Sequence, residues 1–167
     1  MSDPANTETA TDLSPVQTRL EIRPEWIDAN GHMNVAYYVL AFDQATDTFL
    51  QRLGLGWAVL ADGRSIFTLA MNVDYLNEVF AGETVIIESQ LVDCDAKRLH
   101  YYHRMTRERD GLLAATNEIV ALHVSMATRR SMPFPDATAA LARAMKAAHA
   151  ALPKPPRLGR VLGMTRP

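Results

Sequence analysis

Residues 26–34 read Trp-Ile-Asp-Ala-Asn-Gly-His-Met-Asn, which gathers an acid, two amides and an imidazole around one glycine. The stretch that follows has helical periodicity. A helix start offers unpaired backbone N–H groups and the positive end of the macrodipole, so it can polarise a carbonyl or hold an anion. Beside it Asp28 can serve as a base towards water or as a nucleophile, and Asn30 and His32 can orient water or stabilise developing charge. The same residue types also build tight turns and helix caps: Asn30 with Gly31 suits a turn, and Asn34 suits an N-cap.

Such a cluster needs elements to hold it. Val35, Tyr38, Val39, Phe42, Ala45, Thr46, Phe49 and Leu53 recur at spacings of three and four, which predicts a helix over 35–53 closed by Gly54. Before it, Val16, Thr18, Leu20 and Ile22 share one face of a strand that Pro24 ends. After it come four runs of strand character, Ser65–Leu76, Glu83–Val92, Arg98–Thr106 and Leu112–Thr128. Asp110-Gly111 and the polar stretch Asp93 to Lys97 read as hairpin turns, so the sheet is expected to be mostly antiparallel. In the last run Val120, Leu122, Val124 and Met126 form a more apolar face than Ile119, Ala121, His123 and Ser125. That face needs a cover, and the helix at 35–53 is the one long element available. The expected fold class is therefore α+β, a curved antiparallel sheet wrapped around a long central helix. A second, alanine-rich helix over Asp136 to Ala151 is expected to pack outside.

At 167 residues, with 48% hydrophobic and 22% charged residues, the chain reads as one domain able to build a core without staples. Residues 1–14 are expected to form a flexible tail, 15–152 the single domain and 153–167, with Pro153, Pro155 and Pro156, an extended tail. A formal net charge of −2 argues against nucleic-acid and anionic-membrane partners and for a small molecule. Cys94 is the one cysteine, which excludes an internal disulfide and suggests a reducing compartment. No signal peptide and no apolar run of membrane-spanning length is present, so the cytoplasm is the expected location.

Strand, acid-bearing loop, long helix and four long strands together resemble the hotdog fold of acyl-CoA thioesterases. Asp28-Ala29-Asn30-Gly31-His32-Met33-Asn34 is similar to the Asp-x-Asn-x-His-x-Asn stretch of the 4-hydroxybenzoyl-CoA thioesterase-like and plant acyl-ACP thioesterase families. Asp93-Cys94-Asp95-Ala96-Lys97-Arg98-Leu99-His100 also resembles the branch that hydrolyses betainyl-CoA. Relatives commonly carry tyrosine after the Asp, where this chain has Ala29. The resemblance implies hydrolysis of an acyl-CoA thioester, with Asp28, Asn30 and His32 catalytic and the backbone N–H groups of Asn34 and Val35 on the carbonyl oxygen. It also implies a homodimer or a tetramer of two dimers, with sites shared between subunits.

Tyr37, Tyr38, Trp57 and Phe67 are candidates for the acyl pocket, and aromatic faces would suit a quaternary ammonium. Lys97, Arg98, Arg129 and Arg130, at strand ends, are candidates for the coenzyme phosphates. Asp28 and His32 lack companions for a zinc site, and no cofactor beyond the CoA of the substrate is expected. His100 and His103 fall on opposite faces of their strand, both read as surface residues. Two rival functions remain at this stage: an R-specific enoyl-CoA hydratase, whose motif places a proline where Gly31 stands, and a hotdog module that binds acyl-CoA without turnover.

Overall fold

The computed structural model describes residues 12–164. Five strands form a single antiparallel sheet in the order β1-β3-β4-β5-β2: β1 (Val16–Glu21), β2 (Arg64–Tyr75), β3 (Thr84–Cys94), β4 (Arg98–Arg107) and β5 (Leu113–Ser125). β1 and β2 are consecutive strands yet lie on opposite edges. The link between them must cross the whole sheet, and helix α1 (Val35–Arg52) makes that crossing. Its apolar stripe, Tyr38, Ala41, Phe42, Ala45, Phe49 and Leu50, is buried beneath it.

The face of β5 that meets α1 is not the more apolar one. Ala115, Asn117, Ile119 and Ala121 turn towards the helix and are almost fully buried, whereas Val120 and Leu122 lie half-buried on the outer face. Small side chains allow the helix to approach the sheet closely, and that requirement outweighs total hydrophobicity. Helix α2 (Asp136–His149) also departs from expectation. Its Ala142 and Met145 join Phe49, Leu53, Leu91 and Leu99 in one core cluster, so α2 covers the sheet next to the C-terminal half of α1. His149 fixes this docking: its Nδ1 accepts from the Leu91 N–H at 2.8 Å and its Nε2 donates to the Leu13 carbonyl at 3.0 Å.

The terminal segments are held as well. Asp12 pairs with Arg52 at 2.7 Å and Leu13 packs against the core, so the expected N-terminal tail is anchored by Asp12; its earlier residues lie outside the described ones. In place of an extended C-terminal tail, residues 156–160 form a brace on the sheet's outer face. Asp74, only 10% exposed, pairs with Arg157 at 2.9 Å and Arg160 at 2.5 Å. The Gly159 N–H donates to Glu118 at 2.7 Å, Asn72 donates to the Arg160 carbonyl at 2.8 Å, and the Tyr102 hydroxyl donates to the Pro156 carbonyl.

Between α1 and the sheet runs a buried polar row. His103 is fully buried: its Nδ1 meets Ser89 Oγ at 2.8 Å, its Nε2 meets Thr46 Oγ1 at 3.0 Å, and Phe42 stacks on its ring at 5.8 Å. This corrects the expectation of a surface histidine, although His100 does sit on the opposite face, paired with Glu118 at 2.8 Å. Burial depresses the His103 pKa to about 3. The unfolded chain therefore binds a proton on this residue between the ordinary histidine value and about 3 while the folded chain does not. Stability contributed by neutral His103 is complete above the ordinary value and is lost as pH falls through that window. Thermal melts from pH 7.5 to 4.5 should show this decline, and His103→Gln should flatten it; an equal slope in both proteins would contradict the assignment.

Candidate active site

The loop ahead of α1 is a tight hairpin closed by hydrogen bonds. An antiparallel bridge joins Ile27 to Met33, the Asp28 N–H donates to the His32 carbonyl at 3.1 Å, and the Gly31 N–H donates to the Asp28 carbonyl at 3.0 Å. Gly31 has φ 84°, a left-handed conformation that a side chain would strain. Within this turn Asp28 Oδ1 accepts from the Asn30 N–H at 2.8 Å and Oδ2 accepts from Asn34 Nδ2 at 3.3 Å. Asn30 thus holds the carboxylate with its backbone, while its side chain is exposed.

Asn34 is the N-cap of α1, its side-chain oxygen accepting from the Ala36 N–H at 3.0 Å. Its own N–H is already committed to the Trp26 carbonyl at 2.9 Å. Of the two expected backbone donors, Asn34 is therefore spent on structure. Val35 N–H has no hydrogen-bond partner among the described residues, which leaves it as the open donor at the helix start. Asn34 joins carboxylate and donor: one end of its amide touches Asp28 and the other caps the turn that carries Val35.

A cleft of about 350 Å³ opens beside this point, walled by His32, Val35, Tyr38, Tyr75, Asn77 and Glu78 among others. His32 Nε2 lies 3.7 Å from Glu78 Oε1. Of the four candidate pocket aromatics only Tyr38 lines this wall. Tyr37 stacks instead on Trp26 at 5.6 Å, Trp57 is 66% exposed in a short 3₁₀ turn beyond the far end of α1, and Phe67 is on the outer face of β2. Tyr75 and Glu78 were not singled out from the sequence. Counting alternate residues from Ile66 puts Tyr75 on the outer face; a bulge between Thr68 and Ala70 shifts the register and turns it inward.

Lys97, Arg98, Arg129 and Arg130 gather where β4 begins and β5 ends, at the end of the sheet away from the Asp28 loop. Arg98 is engaged by Asp95 at 2.6 Å, and the Arg129 guanidinium lies 6.0 Å from the Phe67 ring. Lys97, Arg129 and Arg130 make no ion pair among the described residues. Along β2, roughly 35 Å separates these cations from the cleft at about 3.3 Å per residue. Among the described residues no group of three or more His, Cys, Asp or Glu is placed to hold a metal ion.

A carboxylate held beside a free helix-start amide is the type of arrangement that can attack a polarised carbonyl, and the sheet-and-helix frame around it is that of the hotdog-fold thioesterases. The model of the thioesterase-like superfamily matches residues 22–142, and the chain belongs to that superfamily as an acyl-CoA thioesterase. The betainyl-CoA thioesterase of Pseudomonas aeruginosa is 40% identical over 155 residues, covering 91% of this chain and 98% of that one. A Ruegeria pomeroyi L-carnitine dehydrogenase/betainyl-CoA thioesterase is 39% identical over 142 residues, which span 84% of this chain and 29% of that protein. Among solved structures, a Staphylococcus aureus protein in complex with CoA superposes with a TM-score of 0.84 at 28% identity, covering 90% of this chain and 96% of that one. A Pseudomonas putida putative thioesterase gives 0.79 at 29% identity, covering 91% and 98%.

The Val35 amide can be deleted without disturbing the helix. Proline suits the first helical position, and Asn34 already has the extended backbone (φ −65°, ψ 145°) preferred ahead of proline. Val35→Pro is expected to lower kcat by about 10²- to 10³-fold, the usual effect of losing one oxyanion donor, with the melting temperature kept. Val35→Ala, which retains the N–H, should remain close to wild type. Equal activity in all three proteins would remove the amide from the reaction.

Proposed function

We propose that the protein hydrolyses betainyl-CoA to betaine and CoA, with Asp28 as the base or nucleophile and the Val35 N–H on the thioester oxygen. The observation that carries the mechanism is the coupling of Asp28 to the helix start through Asn34 at 3.3 Å, with the Val35 donor left open. As the carbonyl carbon is attacked, negative charge builds on its oxygen, where the amide and the helix dipole stabilise it. The C–S bond then breaks and CoA leaves as its thiolate, which takes a proton. His32, at the rim of the cleft, stabilises charge near the leaving group. Water is the only co-reactant and no further cofactor enters. The substrate assignment rests on the 40% identical Pseudomonas aeruginosa relative. Of the described residues, no helix is long and apolar enough to cross a membrane, and we place the reaction in the cytoplasm, where acyl-CoA is generated and the lone Cys94 stays reduced.

The site is proposed to be completed by a second copy of the chain. β2 is an edge strand whose Phe67, Leu69, Met71 and Tyr75 are exposed, an apolar edge that a lone protomer would leave open to pairing. Antiparallel pairing of two β2 strands sets the Arg64 end of one against the Tyr75 end of the other. It thereby brings the cations of the second copy to the cleft of the first, where a coenzyme phosphate requires them. One protomer alone keeps the two roughly 35 Å apart.

A panel of betainyl, short, long and aromatic acyl-CoAs, read by a thiol-reactive dye, tests the reaction. Thiol release is expected with betainyl-CoA; loss of enoyl absorbance without thiol would mark a hydratase, and neither signal would mark a binding module. Asp28→Asn should abolish most turnover while the protein stays folded, and retained activity would remove Asp28 from its role. Light scattering at micromolar concentration should give twice 18.5 kDa or a multiple of that dimer mass, and a monomer would contradict the shared site.

A further inference from the structure

We infer that Tyr75, Tyr38 and Glu78 form a corner that grips a cationic acyl group beside the Val35 amide, and so set the enzyme's preference for quaternary-ammonium thioesters over neutral ones. This inference rests on the thioesterase reading above and adds to it the residues that choose the substrate.

The geometry comes from the cleft itself. Tyr38 and Tyr75 are the two tyrosine rings on its wall, with centroids 5.3 Å apart and planes at 86°, so they form two walls of a corner. Both are anchored by their hydroxyls: Tyr75 donates to the Val35 carbonyl at 3.5 Å and Tyr38 to the Asn77 carbonyl at 3.3 Å. The Tyr75 ring is thereby fixed against the helix turn that carries the open amide. Glu78 is the only Asp or Glu on that wall, and no Lys or Arg lines it. Its segment is pinned from several sides. Leu76 and Asn77 donate their N–H groups to the Ala114 carbonyl at 2.9 and 3.0 Å, Arg107 donates to the Glu78 carbonyl at 3.2 Å, and the Val79 carbonyl accepts from Met33 at 2.8 Å. A carboxylate on a braced loop and two aromatic walls from α1 and the end of β2 are the chemistry that binds a trimethylammonium group, which accepts ring faces and negative charge but no hydrogen bond.

Reach decides the matter. In a betaine thioester one methylene separates the carbonyl carbon from the quaternary nitrogen, so nitrogen and carbonyl oxygen lie roughly 3 Å apart at ordinary bond lengths. Once the oxygen is on Val35 N–H, the cation must fall within the same cleft, and a ring centroid attracts it out to about 6 Å. Tyr37, Trp57 and Phe67, the other aromatics considered from the sequence, do not border this cleft.

The test uses a neutral isostere. The intact protein, Tyr75→Leu, Tyr75→Phe and Glu78→Gln are compared on betainyl-CoA and on 3,3-dimethylbutyryl-CoA, in which carbon replaces the charged nitrogen without change of shape. The wild type is expected to prefer the charged thioester at least tenfold in kcat/KM. Tyr75→Leu and Glu78→Gln should each shrink that ratio by roughly 5- to 30-fold, mainly through KM, while Tyr75→Phe, which keeps the ring face, preserves it. A ratio unchanged in Tyr75→Leu and Glu78→Gln overturns the corner even though hydrolysis persists. Saturation-transfer NMR of tetramethylammonium with each folded protein separates the corner from the choice of substrate. Tyr75-dependent binding without turnover of betainyl-CoA would sustain the corner and reject the substrate, and absence of Tyr75-dependent binding together with an unchanged ratio would reject the corner.

Discussion

The side-chain amide of Asn34 is the joint on which the site turns. Its oxygen stops the first turn of α1 from fraying, and its nitrogen holds the carboxylate of Asp28. Alanine here would release both at once, whereas Asp could cap the helix but, as an acceptor only, could not donate to a carboxylate. The backbone N–H of the same residue ties the loop to Trp26, so the helix start is fixed by three independent bonds from one amino acid. Because those bonds absorb the neighbouring donors, a single amide remains available to a ligand. The electrostatics of the helix terminus are thus focused on Val35 rather than spread over a whole turn.

The other half of the architecture exists to bring that terminus over the sheet. Two strands adjacent in sequence sit on opposite edges, so α1 must lie across the sheet, and the small residues of β5 let it settle there. The polar row beneath α1 costs desolvation, which Ser89 and Thr46 offset by bonding both nitrogens of His103. The Asn117 side chain, in the same row, has no partner among the described residues, and nothing else in the structure accounts for it.

Element positions were legible in the sequence because each carried its own period: α1 and the strands begin and end within a few residues of the spans that spacing alone suggests. The grouping of the loop was legible too, since Asp28, Asn30, His32 and Asn34 lie within seven residues and needed no tertiary information to be brought into one turn. What escaped depended on contacts distant in sequence. The inward face of β5 is chosen by the helix that approaches it, Tyr75 is turned by a bulge, His103 is buried by Phe42, and Lys97, Arg98, Arg129 and Arg130 lie at the end of the protomer away from the Asp28 loop. In each case residue type pointed one way and spatial neighbours decided otherwise.

The brace at 156–160 ties residues more than eighty positions apart, Asp74 of β2 to Arg157 and Arg160, and also reaches β4 through Tyr102 and β5 through Glu118. Contacts of such long sequence separation form late, because the loop they close must be ordered first. The sheet and the Asp28 loop can therefore reach their register before the brace arrives, and the brace acts as a latch on β2. Its free energy is local: hydrogen exchange should register its release as opening along that one edge strand, well before the helix over the sheet lets go.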